Sequence, residues 1–88
     1  MDNVSIKNQQ AKKGKWQFEV VIGDNVHIIT LDRDYYLQLS DEKVTPGQLV
    51  VSSVMFLLER EAKESILKEF DLRKISQYFP EYEETIKI

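Results

Sequence analysis

The chain has 88 residues, 42% hydrophobic and 31% charged, which suits one small core and excludes both a disordered tail and a two-core protein. It has no cysteine, which excludes a disulfide framework and thiolate chemistry and fits the cytosol. The formal charge of -3 is uneven: residues 1–15 carry Lys7, Lys12, Lys13 and Lys15 against Asp2 alone, a balance of +3, and the rest of the chain is -6.

The basic segment 1–15 is expected to be a disordered N-terminal arm, leaving 16–88 as a single small α+β domain. An acidic body disfavours nonspecific contact with nucleic acid. No apolar run approaches the roughly 18 residues of a membrane span, and the polar N-terminus lacks the apolar core of a signal peptide. The expectation is therefore a cytoplasmic protein with no membrane partner.

Residues 16–31, WQFEVVIGDNVHIITL, carry β-branched and aromatic side chains on both sides of Gly23, Asp24 and Asn25, the pattern of a hairpin. A register with Ile22 opposite His27 puts Phe18, Val20, Ile22, His27, Ile29 and Leu31 on a core face and Gln17, Glu19, Val21, Val26, Ile28 and Thr30 on the other. Pairing Ile22 with Val26 would instead leave Ile29 and Leu31 beside Gln17 and Glu19. Two strands alone are marginal in water, so the hairpin must lie on helices or pair with another copy.

Asp32 can cap a short helix, RDYYLQLS, whose Tyr35, Tyr36 and Leu39 make one packing face. A loop, DEKV, leads to the clearest start signal in the chain. Thr45 stands as N-cap, Pro46 takes the first helical position, Gln48 closes a capping box and Val44 can staple to Leu49. The helix from 46 to about 61 contains LVVSSVMFLL, eight of whose ten residues are apolar. At about 100° per residue they cover well over half of its circumference, so other elements must cover this central apolar helix from several sides.

Ile66, Leu67 and Phe70 project toward the sector that Gln48, Ser52 and Glu59 keep polar, which predicts a break between Arg60 and Glu64 although no glycine or proline stands there. A further helix is expected after Asp71, with Phe70 and Ile75 as staple, ending before Pro80. The tail EYEETIKI has no assignable pattern. The fold class is α+β: an N-terminal antiparallel hairpin followed by three to four short helices around a central apolar one.

Chemistry-bearing residues do not form a constellation. His27 is the only histidine and falls on the inner strand face, where it reads as a hydrogen-bonded residue at the core rim. Ser40, Ser52, Ser53, Ser65 and Ser76 lack a nucleophile-elbow context. The run from Glu59 to Glu64 reads as a solvated helix end with Glu59 to Lys63 and Arg60 to Glu64 pairs, and the three glycines draw no phosphate-cradling loop. No catalytic, cofactor-binding or metal-ligating residue is assigned, and no small-molecule substrate is identifiable; the expectation is a non-enzymatic protein.

Two resemblances bear on function. The order of strand HIITL, short helix DRDYYLQLS, loop and capped helix TPGQLVVSSVMFLLE resembles a ribbon-helix-helix DNA-binding protein, in which paired strands of two chains read a major groove. The outward strand positions here are Val26, Ile28 and Thr30, poor in the donors that groove reading needs. Over about 60 residues the series LLERE, ESIL, FDL and YFPEY resembles a family of small, uncharacterised prokaryotic proteins. Its members often carry proline at the position of Ala62, in keeping with a helix break there. That resemblance implies no activity, cofactor or site residue.

A chain of this size buries only about 60 to 65% of its unfolded surface, so association would add needed burial. The outward Val21, Val26 and Ile28, together with the hairpin's unpaired edges, mark the expected interface. The reading is a self-associating interaction or regulatory module, a homodimer or the partner of another protein.

Overall fold

Side-chain alternation and turn chemistry together set the sheet. In the computed structural model, which describes residues 3–40 and 42–86, β1 (Val4–Lys12) turns through Lys13 and Gly14 into β2 (Lys15–Ile22), and β2 turns through Gly23 and Asp24 into β3 (Asn25–Asp32). Gly23 has φ 61°, the left-handed conformation that suits the first position of a two-residue hairpin loop. Helices α1 (Arg33–Ser40) and α2 (Pro46–Leu58), a 3-10 turn (Lys63–Ser65), β4 (Glu69–Asp71), α3 (Lys74–Tyr78) and α4 (Tyr82–Ile86) follow. The protein is thus mixed α+β, with a four-stranded sheet in the order β1-β2-β3-β4.

The faces expected from alternation are the faces observed: Phe18, Val20, Ile22, His27, Ile29 and Leu31 are completely buried. The register is corrected by two residues, because Val20 opposes His27, Val21 opposes Val26 and Ile22 opposes Asn25. A shift of two leaves every side chain on its own face. The tight Gly23–Asp24 turn decides the matter, since pairing Ile22 with His27 would need a wider loop.

Residues 4–12 form a strand where composition led to the expectation of a disordered arm; residues 1 and 2 of that segment lie outside the described residues. Val4 opposes Ile22 and Ile6 opposes Val20, so both pack half-buried against the core. A bulge at Lys7 then resets the alternation, and Gln9 opposes Phe18. Gly23 N–H donates to Asn3 O at 2.8 Å, tying the start of this strand to the next turn.

In α1, Tyr35, Tyr36 and Leu39 are buried on one face as their spacing requires. Asp41 of the expected loop lies outside the described residues. Both capping-box bonds of α2 are present: Gln48 N–H donates to Thr45 Oγ1 at 3.1 Å, and Thr45 N–H to Gln48 Oε1 at 2.9 Å. Gly47 fits the close approach to β1, because a Cβ there would stand 3.1 Å from Ile6 Cδ1.

Helix α2 buries Leu49, Val50, Ser53, Val54, Phe56 and Leu57, and leaves Val51, Met55 and Leu58 half-buried. It ends at Leu58, short of the expected end near 61, and the chain becomes extended at Ala62, inside the break expected between Arg60 and Glu64. Arg60 and Glu61 N–H both donate to Leu57 O, at 2.9 and 2.8 Å, and Ala62 is extended with ψ 154°. The i,i+4 ion pairs expected over Glu59 to Glu64 need a continuing helix, and other pairings are seen among the described residues. Arg60 instead meets Glu81 at 3.3 Å and Glu59 at 3.6 Å, and Lys63 meets Asp24 at 2.6 Å.

Besides β1, strand β4 and helix α4 were not anticipated. The chain crosses over through α1 and α2 and returns as β4 parallel to β3, with Ile28, Ile29 and Thr30 beside Glu69, Phe70 and Asp71. The tail forms α4, whose Tyr82 is completely buried with its ring edge-on to Phe56 at 5.2 Å; Lys87 and Ile88 lie outside the described residues. Helix α3 buries Ile75 and stops before Pro80 as expected. No described helix is long and apolar enough to cross a membrane.

Candidate interaction surface

The sheet buries one face under the helices and leaves the other open. Ser5, Val21 and Val26 form one row across its outer face, Asn8, Glu19, Ile28 and Glu69 the next, and Gln10, Gln17, Thr30 and Asp71 a third. Polar pairing dominates the last two rows: Lys7 meets Glu19 at 3.6 Å, and Thr30 Oγ1 donates to Asp71 Oδ2 at 3.0 Å. The apolar exception lies near the Gly23 turn, where Val26 is 45% exposed and its cross-strand partner Val21 and neighbour Ile28 are half-buried. All three residues expected at an interface therefore sit together on the outer face.

The strand edges differ from expectation. The hairpin edges are covered, because β1 pairs with β2 and β4 pairs with part of β3, so the outer edge of β1 is bare among the described residues. The strand HIITL is consequently flanked on both sides within its own chain. That geometry does not match a two-chain ribbon, in which that strand would pair with a second copy.

The segment leading into β4 is clamped to the corner beneath this patch. Lys63 Nζ reaches Asp24 Oδ1 at 2.6 Å, and Ile28 N–H donates to Lys68 O at 2.7 Å. His27 Nδ1 lies 2.7 Å from Leu67 O; since a carbonyl can only accept, this nitrogen carries the proton. His27 Nε2 is buried with no partner among the described residues. The histidine is thus a structural clamp, as its inner-face position implied.

Three of the serines, Ser40, Ser53 and Ser76, are likewise engaged in structural bonds. Ser40 Oγ donates to Tyr36 O at 2.7 Å, Ser76 Oγ to Arg73 O at 2.8 Å, and Ser53 Oγ to Leu49 O at 2.8 Å. Ser53 has spent its one proton on Leu49, so Tyr82 must be the donor in the 2.5 Å contact between their hydroxyls. Tyr35 O–H donates to Glu83 Oε2 at 2.8 Å. Burial pushes both phenols upward in pKa, and the Glu83 carboxylate adds to the effect at Tyr35. Lys63 beside Asp24 draws that carboxyl downward.

A cleft of about 390 Å³ opens between the end of α2, the segment leading into β4 and α3, with an apolar floor of Leu57, Ile66, Phe70, Ile75 and Phe79. Leu67, 47% exposed, and Tyr78, 63% exposed, stand at its rim. No group of three or more His, Asp or Glu side chains among the described residues is placed to hold a metal ion. No protein family, no curated protein and no solved structure matches this chain.

The outward position of Val21, Val26 and Ile28 follows from alternation alone. The bare β1 edge does not, because Val4 and Ile6 are the only large apolar residues in that strand and the bulge at Lys7 interrupts their alternation.

Proposed function

We propose that the protein is a non-enzymatic interaction module that self-associates through the outer-face patch of Val21, Val26 and Ile28, with α2 as the apolar helix about which the other helices are arranged. The observation that carries this reading is the solvent-facing Val26, beside Val21 and Ile28, on a sheet face that no helix covers among the described residues. The clamps through Lys63, His27 and Ile28 hold that corner in one shape, so association need not order it first. A two-fold arrangement would bring the patch against its own copy. The motif series LLERE, ESIL, FDL and YFPEY adds no activity to this reading.

Sedimentation velocity over a dilution series tests it. The native protein should sediment as a dimer at the higher concentrations, and Val26→Lys or Ile28→Lys should shift it to monomer with an unchanged far-UV spectrum. A native protein that stays monomeric at the highest concentration reached would overturn the reading.

A further inference from the structure

We propose that the outer edge of β1 accepts an extended acidic segment of a partner protein as a fifth strand. The strand is nine residues long and stands at the end of the sheet order, so one whole side of its backbone lacks a strand partner among the described residues. At about 3.4 Å per residue this is an edge roughly 30 Å long. Soluble proteins cover, shorten or charge such an edge, because it is a template for pairing with another chain.

The backbone groups available can be named. Gln9 N–H donates to the side-chain Oδ1 of its own neighbour Asn8 at 2.9 Å, so it points away from β2. In an antiparallel ladder the direction of N–H and C=O alternates, and Ala11 therefore shares the outward direction of Gln9. Beyond the bulge at Lys7, the stretch Asn8–Lys12 pairs with β2 without interruption and offers a straight docking edge. An incoming strand would take the place of the Asn8 side chain at Gln9 N–H.

Charge decides the chemistry of the occupant. Lys12, Lys13 and Lys15 are exposed around the end of this edge and make no ion pair among the described residues, whereas Lys7 is balanced by Glu19. A second copy of β1 offers these lysines no carboxylate, since Val4–Lys12 contains none, and a copy laid parallel would set them against their own kind, so the edge favours an acidic partner over itself. The same lysines favour a strand carrying carboxylates at alternate positions. Main-chain bonds would supply affinity and the lysines selectivity, which is the logic of strand addition. The site is separate from the Val21, Val26 and Ile28 patch and does not depend on it.

The test uses the full chain, isotope-labelled, with a capped peptide of alternating glutamate and valine as probe and a lysine-valine peptide as control. The glutamate peptide should shift and protect the Gln9 and Ala11 amides, with binding that weakens as salt rises. Ala11→Pro removes one outward N–H without touching the ladder to β2, a change tolerated on an edge strand. It should weaken binding by at least about tenfold, equivalent to about 1.4 kcal/mol. K12E/K13E/K15E should lose the glutamate peptide and gain the lysine one while leaving the core signals unchanged, and keeps the test decisive if Ala11→Pro disturbs β1. Equal binding to native and Ala11→Pro protein would show contact through charge alone and overturn the proposal. So would equal affinity for the lysine peptide, tighter binding of a single-stranded oligonucleotide at the same amides, or concentration-dependent protection of Gln9 and Ala11 in the free protein.

Discussion

The contact between Tyr82 and Ser53 allows an asymmetric prediction about what holds the tail on the fold. Tyr82 is fully buried, and its hydroxyl donates to Ser53 Oγ, which itself donates to Leu49 O. Tyr82→Phe removes a donor and leaves the serine proton still bonded, so the loss should be that of one ordinary hydrogen bond, about 0.5–1.5 kcal/mol. Ser53→Ala leaves a buried tyrosine O–H with no acceptor, which should cost about 1–3 kcal/mol. The double variant has no orphaned donor and should be more stable than Ser53→Ala alone, a non-additive result. Tyr82→Ala, which also removes the ring against Phe56, should cost about 3–5 kcal/mol by analogy with other buried aromatic truncations. Urea melts followed by circular dichroism would give the differences, and each kcal/mol should appear as roughly 4–8 °C in Tm. If Tyr82→Phe costs more than Ser53→Ala, or the two costs simply add, the assignment of donor and acceptor is wrong.

Other consequences can be checked in parallel. Phe56→Ala should destabilise by about 3–5 kcal/mol and Thr45→Ala by only about 0.5–2 kcal/mol, so melts that reverse the order would place the α2 cap above its packing. Because burial raises the Tyr35 and Tyr82 pKa values, the folded state holds these protons when the unfolded chain, with a tyrosine pKa of about 10, has released them; stability should therefore fall as pH rises beyond that point. In an alkaline titration, tyrosinate absorbance from these two residues should appear only with unfolding, and their early ionisation in native protein would contradict the structure. The lowered Asp24 pKa has the opposite sense: its contribution is present above the ordinary carboxylate range and is lost as pH falls through the folded value, so Asp24→Asn should flatten the acid limb of stability.

How far the fold could be read depends on the kind of information each element needed. The two faces of the β2–β3 hairpin were legible because alternation of Phe18, Val20, Ile22, His27, Ile29 and Leu31 carries them. The register was not, because a slip of two preserves alternation and only the Gly23–Asp24 turn distinguishes the alternatives. The α2 start is written in Val44, Thr45, Pro46 and Gln48, and the break that follows it in the phase of Ile66, Leu67 and Phe70, so the break could be placed without a glycine or proline. Strand β4 has three residues and exists only because the crossover delivers it beside β3, while α4 carries a single large buried side chain, Tyr82, among acidic neighbours. Of the interaction surface, the outward patch was legible, but the lysine-rich segment looked like an arm because Val4 and Ile6 alone hint at its pairing.

Self-association through the outer sheet face is tested most directly by isotope-filtered NOE spectroscopy on a mixture of differently labelled copies. Intermolecular NOEs should arise from the methyl groups of Val21, Val26 and Ile28 and vanish in Val26→Lys. Intermolecular NOEs from Val51, Met55 or Leu58 of α2 instead, or none at all from a concentrated native sample, would contradict the account.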